Sequence, residues 1–101
     1  MSVVAEKIRE TPGESGKTAT ASPQRWRVVF LNDAVTRMSY AVMVLRKLFG
    51  FDEPTATRHM LEAHESGRSV VWAGVRESAE AYAFSLQQWH LSATIEPDEE
   101  S

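Results

Sequence analysis

The chain has 101 residues, 43% of them hydrophobic and 25% charged, with no cysteine and a formal net charge of −3. That length holds one small domain and a tail rather than two domains, and the composition is ordinary for a soluble globular protein. The acidic balance, with a pI near 5.6, argues against a dedicated nucleic-acid binder, and the missing thiols remove disulfide and thiolate chemistry. No apolar run approaches the roughly 20 residues of a membrane span, and the N-terminal residues lack the continuous apolar core of a secretory signal. A cytoplasmic location is the expectation.

Residues 1–24 read as a disordered tail. From residue 10 to 24 the chain is Thr, Pro, Gly, Ser, Ala and charge, with no large apolar side chain to offset the entropy of ordering. Residues 25–31 then alternate as a strand does, with Trp26, Val28 and Phe30 on one face and Val29 and Leu31 on the other. Because both faces are partly apolar, the strand is expected at the centre of its sheet. Asn32-Asp33 follows as a turn, since short polar side chains bond nearby backbone. Ser39 is the expected N-cap of a helix over 40–49, preceded by Met38 and closed by Gly50 in the left-handed C′ position. Asp52-Glu53-Pro54 opens a second helix that runs to about residue 65 and stops at Ser66-Gly67. Residues 69–73 form a second strand. A third helix starts at Arg76 or Glu77 and runs to about residue 90, with Ala79, Tyr82, Ala83 and Leu86 facing inward. Residues 92–96 make a last strand, and residues 97–101 a frayed acidic end. The order β-α-α-β-α-β predicts an α+β fold, a three-stranded antiparallel sheet packed against three helices, over residues 25–96.

One group of residues stands out chemically. On the second helix Ala56, Met60 and His64 recur every four residues and share a face. Taken singly they are bland: Met60 as core filler, His64 as a cation near a helix C-terminus, Asn32-Asp33 as a turn. Brought together at the end of the first strand, they would set an amide oxygen, a carboxylate and an imidazole beside Met38, Met60 and an apolar wall. Such a site suits a protonated amine attached to a bulky apolar side chain. A histidine accepts only when neutral, so binding should fade on acidification, and again above about 8 as a ligand α-amine loses its charge. His59 and His64, five apart, are a poor pair for one metal, and no metal or other cofactor is expected.

In the order Asn32-Asp33, Thr36, Met38, then Ala56, Met60, Leu61, His64, Gly67, then Ala79-Glu80 and the closing run from Leu91 to Glu96, these residues resemble the ClpS family. Its members are adaptors that hand N-degron substrates to Clp AAA+ unfoldases. The resemblance covers about residues 25–96 and implies a non-enzymatic adaptor with a ClpS-like fold, related to the C-terminal domain of a ribosomal stalk protein. It implies that Asn32, Asp33 and His64 hold the substrate's α-amino group. Thr36, Met38, Ala41, Met60 and Leu91 would form the pocket for a first residue that is Phe, Tyr, Trp or Leu, with Met38 excluding stiff β-branched side chains. Glu77 lies where the family docks the unfoldase N-domain. Tyr82 stands where relatives carry Lys, which points to a ClpC-type rather than a ClpA-type partner, and the tail would engage that partner during hand-over. Three departures matter: Ala34 replaces a common Asp, Arg37 a common Pro, and Ala41 a larger aliphatic residue. The last should widen the pocket in favour of Trp and Tyr over Leu. Two other readings of the same residues are a structural interaction module without a peptide pocket, and an enzyme using Asp33 and His64 as a dyad.

Overall fold

Residues 24–98 are described in the structure, a computed structural model of the chain. The first alternating run becomes strand β1 (Trp26–Leu31). Helices α1 (Met38–Phe49) and α2 (Glu53–Ser66) follow, then strand β2 (Arg68–Gly74), helix α3 (Arg76–Gln88) and strand β3 (Ala93–Pro97). Among the described residues the strands form one antiparallel sheet in the order β2-β1-β3, so β1 is central as its two apolar faces require. Helices α2 and α3 pack on this sheet and α1 packs on them, which is the expected α+β arrangement.

Val28 and Phe30 enter the core beside Leu45, Met60, Ala79 and Leu86. Val29 points to the opposite face and is nevertheless fully buried. Glu96 on β3 pairs with Arg27 at 2.7 Å and with Arg68, which must reach across β1 from the far strand. Ion-paired side chains therefore span the face on which Val29 lies, and their aliphatic stems shield it. The hydrogen bond from Arg68 holds the Glu96 carboxyl below the usual carboxylate range. A bulge between Val28 and Val29 shifts the β1–β2 register. As a result the consecutive residues Val71 and Trp72 both meet the core. Gly74 follows for want of space: a Cβ there would collide with the Trp72 indole.

Local signals set most boundaries. Asp52 caps α2 by accepting the Thr55 N–H at 3.0 Å, a bond that lowers its own pKa. Gly50 (φ 73°) and Gly67 (φ 92°) close α1 and α2 in the left-handed region. Three expectations need correction. Helix α1 begins at Met38 with extended Arg37 before it and no side-chain cap, so Ser39 lies inside the first turn. The turn built on Asp33 ends at Thr36 and sets that start, overriding a cap preference worth about 1 kcal/mol. Helix α3 stops at Gln88, because His90 takes a positive φ of 68° and turns the chain into the core at Leu91. The ordered C-terminal end passes residue 96: Pro97 completes β3, and the Asp98 N–H donates to the Arg25 carbonyl at 2.8 Å. The tail expected over residues 1–24 lies, except for Gln24, outside the described residues, as do residues 99–101.

Candidate functional site

Two backbone bonds place the loop after β1. The Leu31 N–H donates to the Ser92 carbonyl at 2.9 Å, and the Asn32 N–H to the Gly67 carbonyl at 3.0 Å. The loop is thereby moored between the segment before β3 and the C-terminal end of α2. Asp33 then closes the turn expected of it: Oδ1 accepts the Val35 N–H at 2.9 Å, and its carbonyl accepts the Thr36 N–H at 3.3 Å. Its second carboxylate oxygen receives only a long approach, 3.5 Å, from the Ser92 hydroxyl. One oxygen shapes the loop while the other stays available at the rim.

Helices α1 and α2 form an antiparallel hairpin joined by residues 50–52. At its open end Met38 and Ala41 of α1 face Met60, Ala63 and His64 of α2 across a cavity of about 320 Å³. Phe30 lies in its lining, and Asn32, Asp33, Ala34 and Thr36 complete its wall. The volume sits at the lower end of the roughly 300–1,000 Å³ of small-ligand sites. Ala41 and Met60 are buried, whereas Met38 is 44% exposed at the mouth. The C-terminal end of α2 and the N-terminal end of α1 both border the cavity. Their dipoles put partial negative charge on one side and partial positive charge on the other. An ammonium and the carbonyl that follows it in a peptide match that polarity.

Seven of the residues singled out from the sequence thus share one cavity: Asn32, Asp33, Thr36, Met38, Ala41, Met60 and His64. Leu91 does not join them. It is buried in the core at 3% exposure, held there by its N–H bond to the Leu86 carbonyl. Glu77 is exposed in the first turn of α3. Tyr82 is half-buried, its ring packed between Phe49 (4.8 Å) and Trp72 (5.0 Å). Phe30 and Ala63 were missed, although Ala63 follows Met60 by three residues and helical spacing points to it; Ala34 was noted only as replacing a common Asp.

Also unforeseen is a polar chain on the other side of α2, buried at His59 and Ser69 and exposed at its ends, Arg58 and Glu62. Arg58 faces His59 Nε2 at 3.4 Å, His59 Nδ1 donates to Ser69 Oγ at 2.7 Å, and Ser69 donates to Glu62 at 2.7 Å. The roles agree only for a neutral imidazole protonated at Nδ1. Burial, then the Arg58 charge, pushes the His59 pKa down. His59 is also stacked on Phe51 at 4.9 Å. It serves to tie α2 to β2, and His64 alone of the two turns to the cavity. Among the described residues no three His, Cys, Asp or Glu side chains are placed to hold a metal ion, and no helix is long and apolar enough to cross a membrane.

Known proteins resemble this chain in sequence and fold. The family model for the ATP-dependent Clp protease adaptor protein ClpS matches residues 21–94. The ClpS adapter of Mycobacterium marinum is 43% identical over 84 residues, covering 83% of this chain and 81% of that protein. That of Mycobacterium tuberculosis is 37% identical over 102 residues, covering 97% and 99%. Among solved structures, Agrobacterium tumefaciens ClpS2 bound to L-phenylalaninamide superposes with a TM-score of 0.72 at 31% identity, covering 76% of this chain and 100% of that one.

Proposed function

The chain belongs to the ClpS family of Clp protease adaptors, and from that premise we propose that it binds substrates by a free α-amino group and a bulky apolar first residue. Asn32, Asp33 and His64 accept hydrogen bonds from the ammonium, while Thr36, Met38, Ala41 and Met60 surround the side chain. One observation carries the reading: three acceptor-bearing side chains and an apolar lining meet in a single cavity of about 320 Å³. The ligand of the Agrobacterium relative, an amine beside a benzyl group, has the chemistry such a cavity would select.

The task requires no bond to be broken. Burying a Phe-sized side chain contributes roughly 1.5–3 kcal/mol. Each charge-assisted hydrogen bond to the amine adds about 1.5–3 kcal/mol. Leucine, tyrosine and tryptophan satisfy the same requirements, whereas β-branched residues meet Met38 with a side chain that cannot turn aside. The exposed start of α3 at Glu77, with Tyr82 one turn and a half further on, is the surface for a Clp unfoldase N-domain of the ClpC or ClpA type. The N-terminal tail engages that unfoldase at hand-over.

A fluorescent peptide beginning with Phe tests the proposal against its acetylated form. Losing two charge-assisted bonds, about 3–6 kcal/mol, predicts at least about 100-fold weaker binding after acetylation. An interaction module without a pocket would bind both forms alike and ignore Asp33→Ala. An Asp33–His64 enzyme would consume the peptide. Either result overturns the reading.

A further inference from the structure

The α1–α2 hairpin carries a second depression, larger and shallower than the cavity, of about 590 Å³. It lies between Val42, Met43 and Arg46 of α1 and Glu53 and Thr57 of α2, with Phe51 at its closed end. Along α2, Glu53, Thr57, Met60 and His64 recur at spacings of three and four and form one strip. Thr57 and His64 are separated by seven residues, about 10 Å of helix axis. Helix α1 runs the opposite way, from Met38 at the cavity to Arg46 and Lys47 in its last turn. The groove and the cavity share no lining residue but follow one another along the hairpin seam, so a chain leaving the cavity along that seam enters the groove. An extended peptide advances about 3.3–3.6 Å per residue, so a chain with its first residue in the cavity reaches Thr57 with its third to fifth residues.

The groove has a definite chemistry. Val42, Phe51 and the 41%-exposed Met43 supply apolar surface. Arg46 and Lys47 also line it; neither makes a salt bridge or side-chain hydrogen bond among the described residues, although the Arg46 charge acts on the nearby Asp52 carboxylate. Glu53 is its one acidic lining residue. We infer that this groove binds the part of the substrate that follows the first residue and favours a segment carrying acidic beside apolar side chains. The inference rests on the amine-and-side-chain reading of the cavity and adds a second determinant to it: charge at positions three to six.

Two labelled peptides test it, both beginning with Phe and identical at position two. One carries Leu and Glu at positions three to six, the other Ser and Lys. Wild-type protein should bind the first about three- to tenfold more tightly at low salt, the size that two surface ion pairs supply, and the gap should narrow as salt is added. Arg46→Glu with Lys47→Glu should reverse the preference while L-phenylalaninamide, which reaches only the cavity, binds both proteins equally. Equal affinity of the wild type for the two peptides overturns the inference and leaves the cavity reading standing. Failure of L-phenylalaninamide to bind overturns the cavity reading instead. If the charge reversal leaves peptide binding alone and weakens association with an unfoldase, the groove faces that partner and the inference falls. Should the double variant not fold by circular dichroism, the wild-type comparison and Lys47→Glu alone decide the matter.

Discussion

Replacing Asp33 by Asn separates the turn that its carboxylate closes from the amine binding proposed for it. Oδ1 holds the loop by accepting the Val35 N–H at 2.9 Å, and an asparagine carbonyl can accept the same bond. Oδ2, approached only by the Ser92 hydroxyl at 3.5 Å, is the oxygen left for a ligand ammonium. In Asp33→Asn that atom becomes an NH₂ group, which can donate to Ser92 but repels an ammonium. The variant should therefore keep its stability within about 0.5 kcal/mol, the usual range for a surface change. It should lose the whole charge-assisted hydrogen bond, about 1.5–3 kcal/mol or roughly 10- to 150-fold in affinity. Asp33→Ala removes both functions and should in addition lose about 0.5–1.5 kcal/mol of stability. Anisotropy with a Phe-initiated peptide and a denaturant melt of each variant give the two readouts. Unchanged peptide affinity in Asp33→Asn would refute the assignment of Oδ2 to the amine, and equal destabilisation by Asn and Ala would refute that of Oδ1 to the turn.

Three further outcomes are expected. His59 has its pKa lowered by burial and by Arg58, so the unfolded chain binds a proton more readily than the folded one. Its stabilising effect is complete above about 6.5 and is lost as the pH falls from there through the folded value. The melting temperature should drop between pH 7 and 5, and drop less in His59→Phe, which retains the stacking on Phe51; identical pH profiles would remove His59 as the cause. Gly74→Ala drives a methyl group into the Trp72 ring, already packed on Tyr82, and should cost about 1–3 kcal/mol in chemical denaturation. Wild-type protein should prefer Trp- and Tyr-initiated peptides to Leu-initiated ones. Ala41→Leu should fill the cavity and cut Trp binding by about tenfold or more while sparing Leu, as measured by competition.

The boundaries that sequence reasoning placed best are those decided by neighbours along the chain. Gly50, Gly67 and Asp52 act within one turn of themselves, and each behaves as its residue type requires. Ser39 failed because a cap preference is weak and the Asp33 turn, also local but stronger in its geometry, claimed the residues before Met38. The cavity residues were legible because helical spacing already puts Met60 and His64 on one face and the end of β1 puts Asn32 and Asp33 at a rim. Leu91 was not. Leu91 is not among the residues lining the cavity, because the turn at His90 sets it deeper in the core.

Sequence alone thus settled the order and type of the elements and the central position of β1, since these follow from patterns a few residues long. Tertiary structure decided what depends on residues far apart in the chain: the His59–Ser69–Glu62 contacts, the ion pairs from Glu96 that shelter Val29, the bulge that turns both Val71 and Trp72 inward, and the second depression along the α1–α2 hairpin. Periodicity assigns a residue to a face. Which distant side chain meets that face is fixed only when strands pair and helices dock, because burial, desolvation and close approach exist only in the assembled fold.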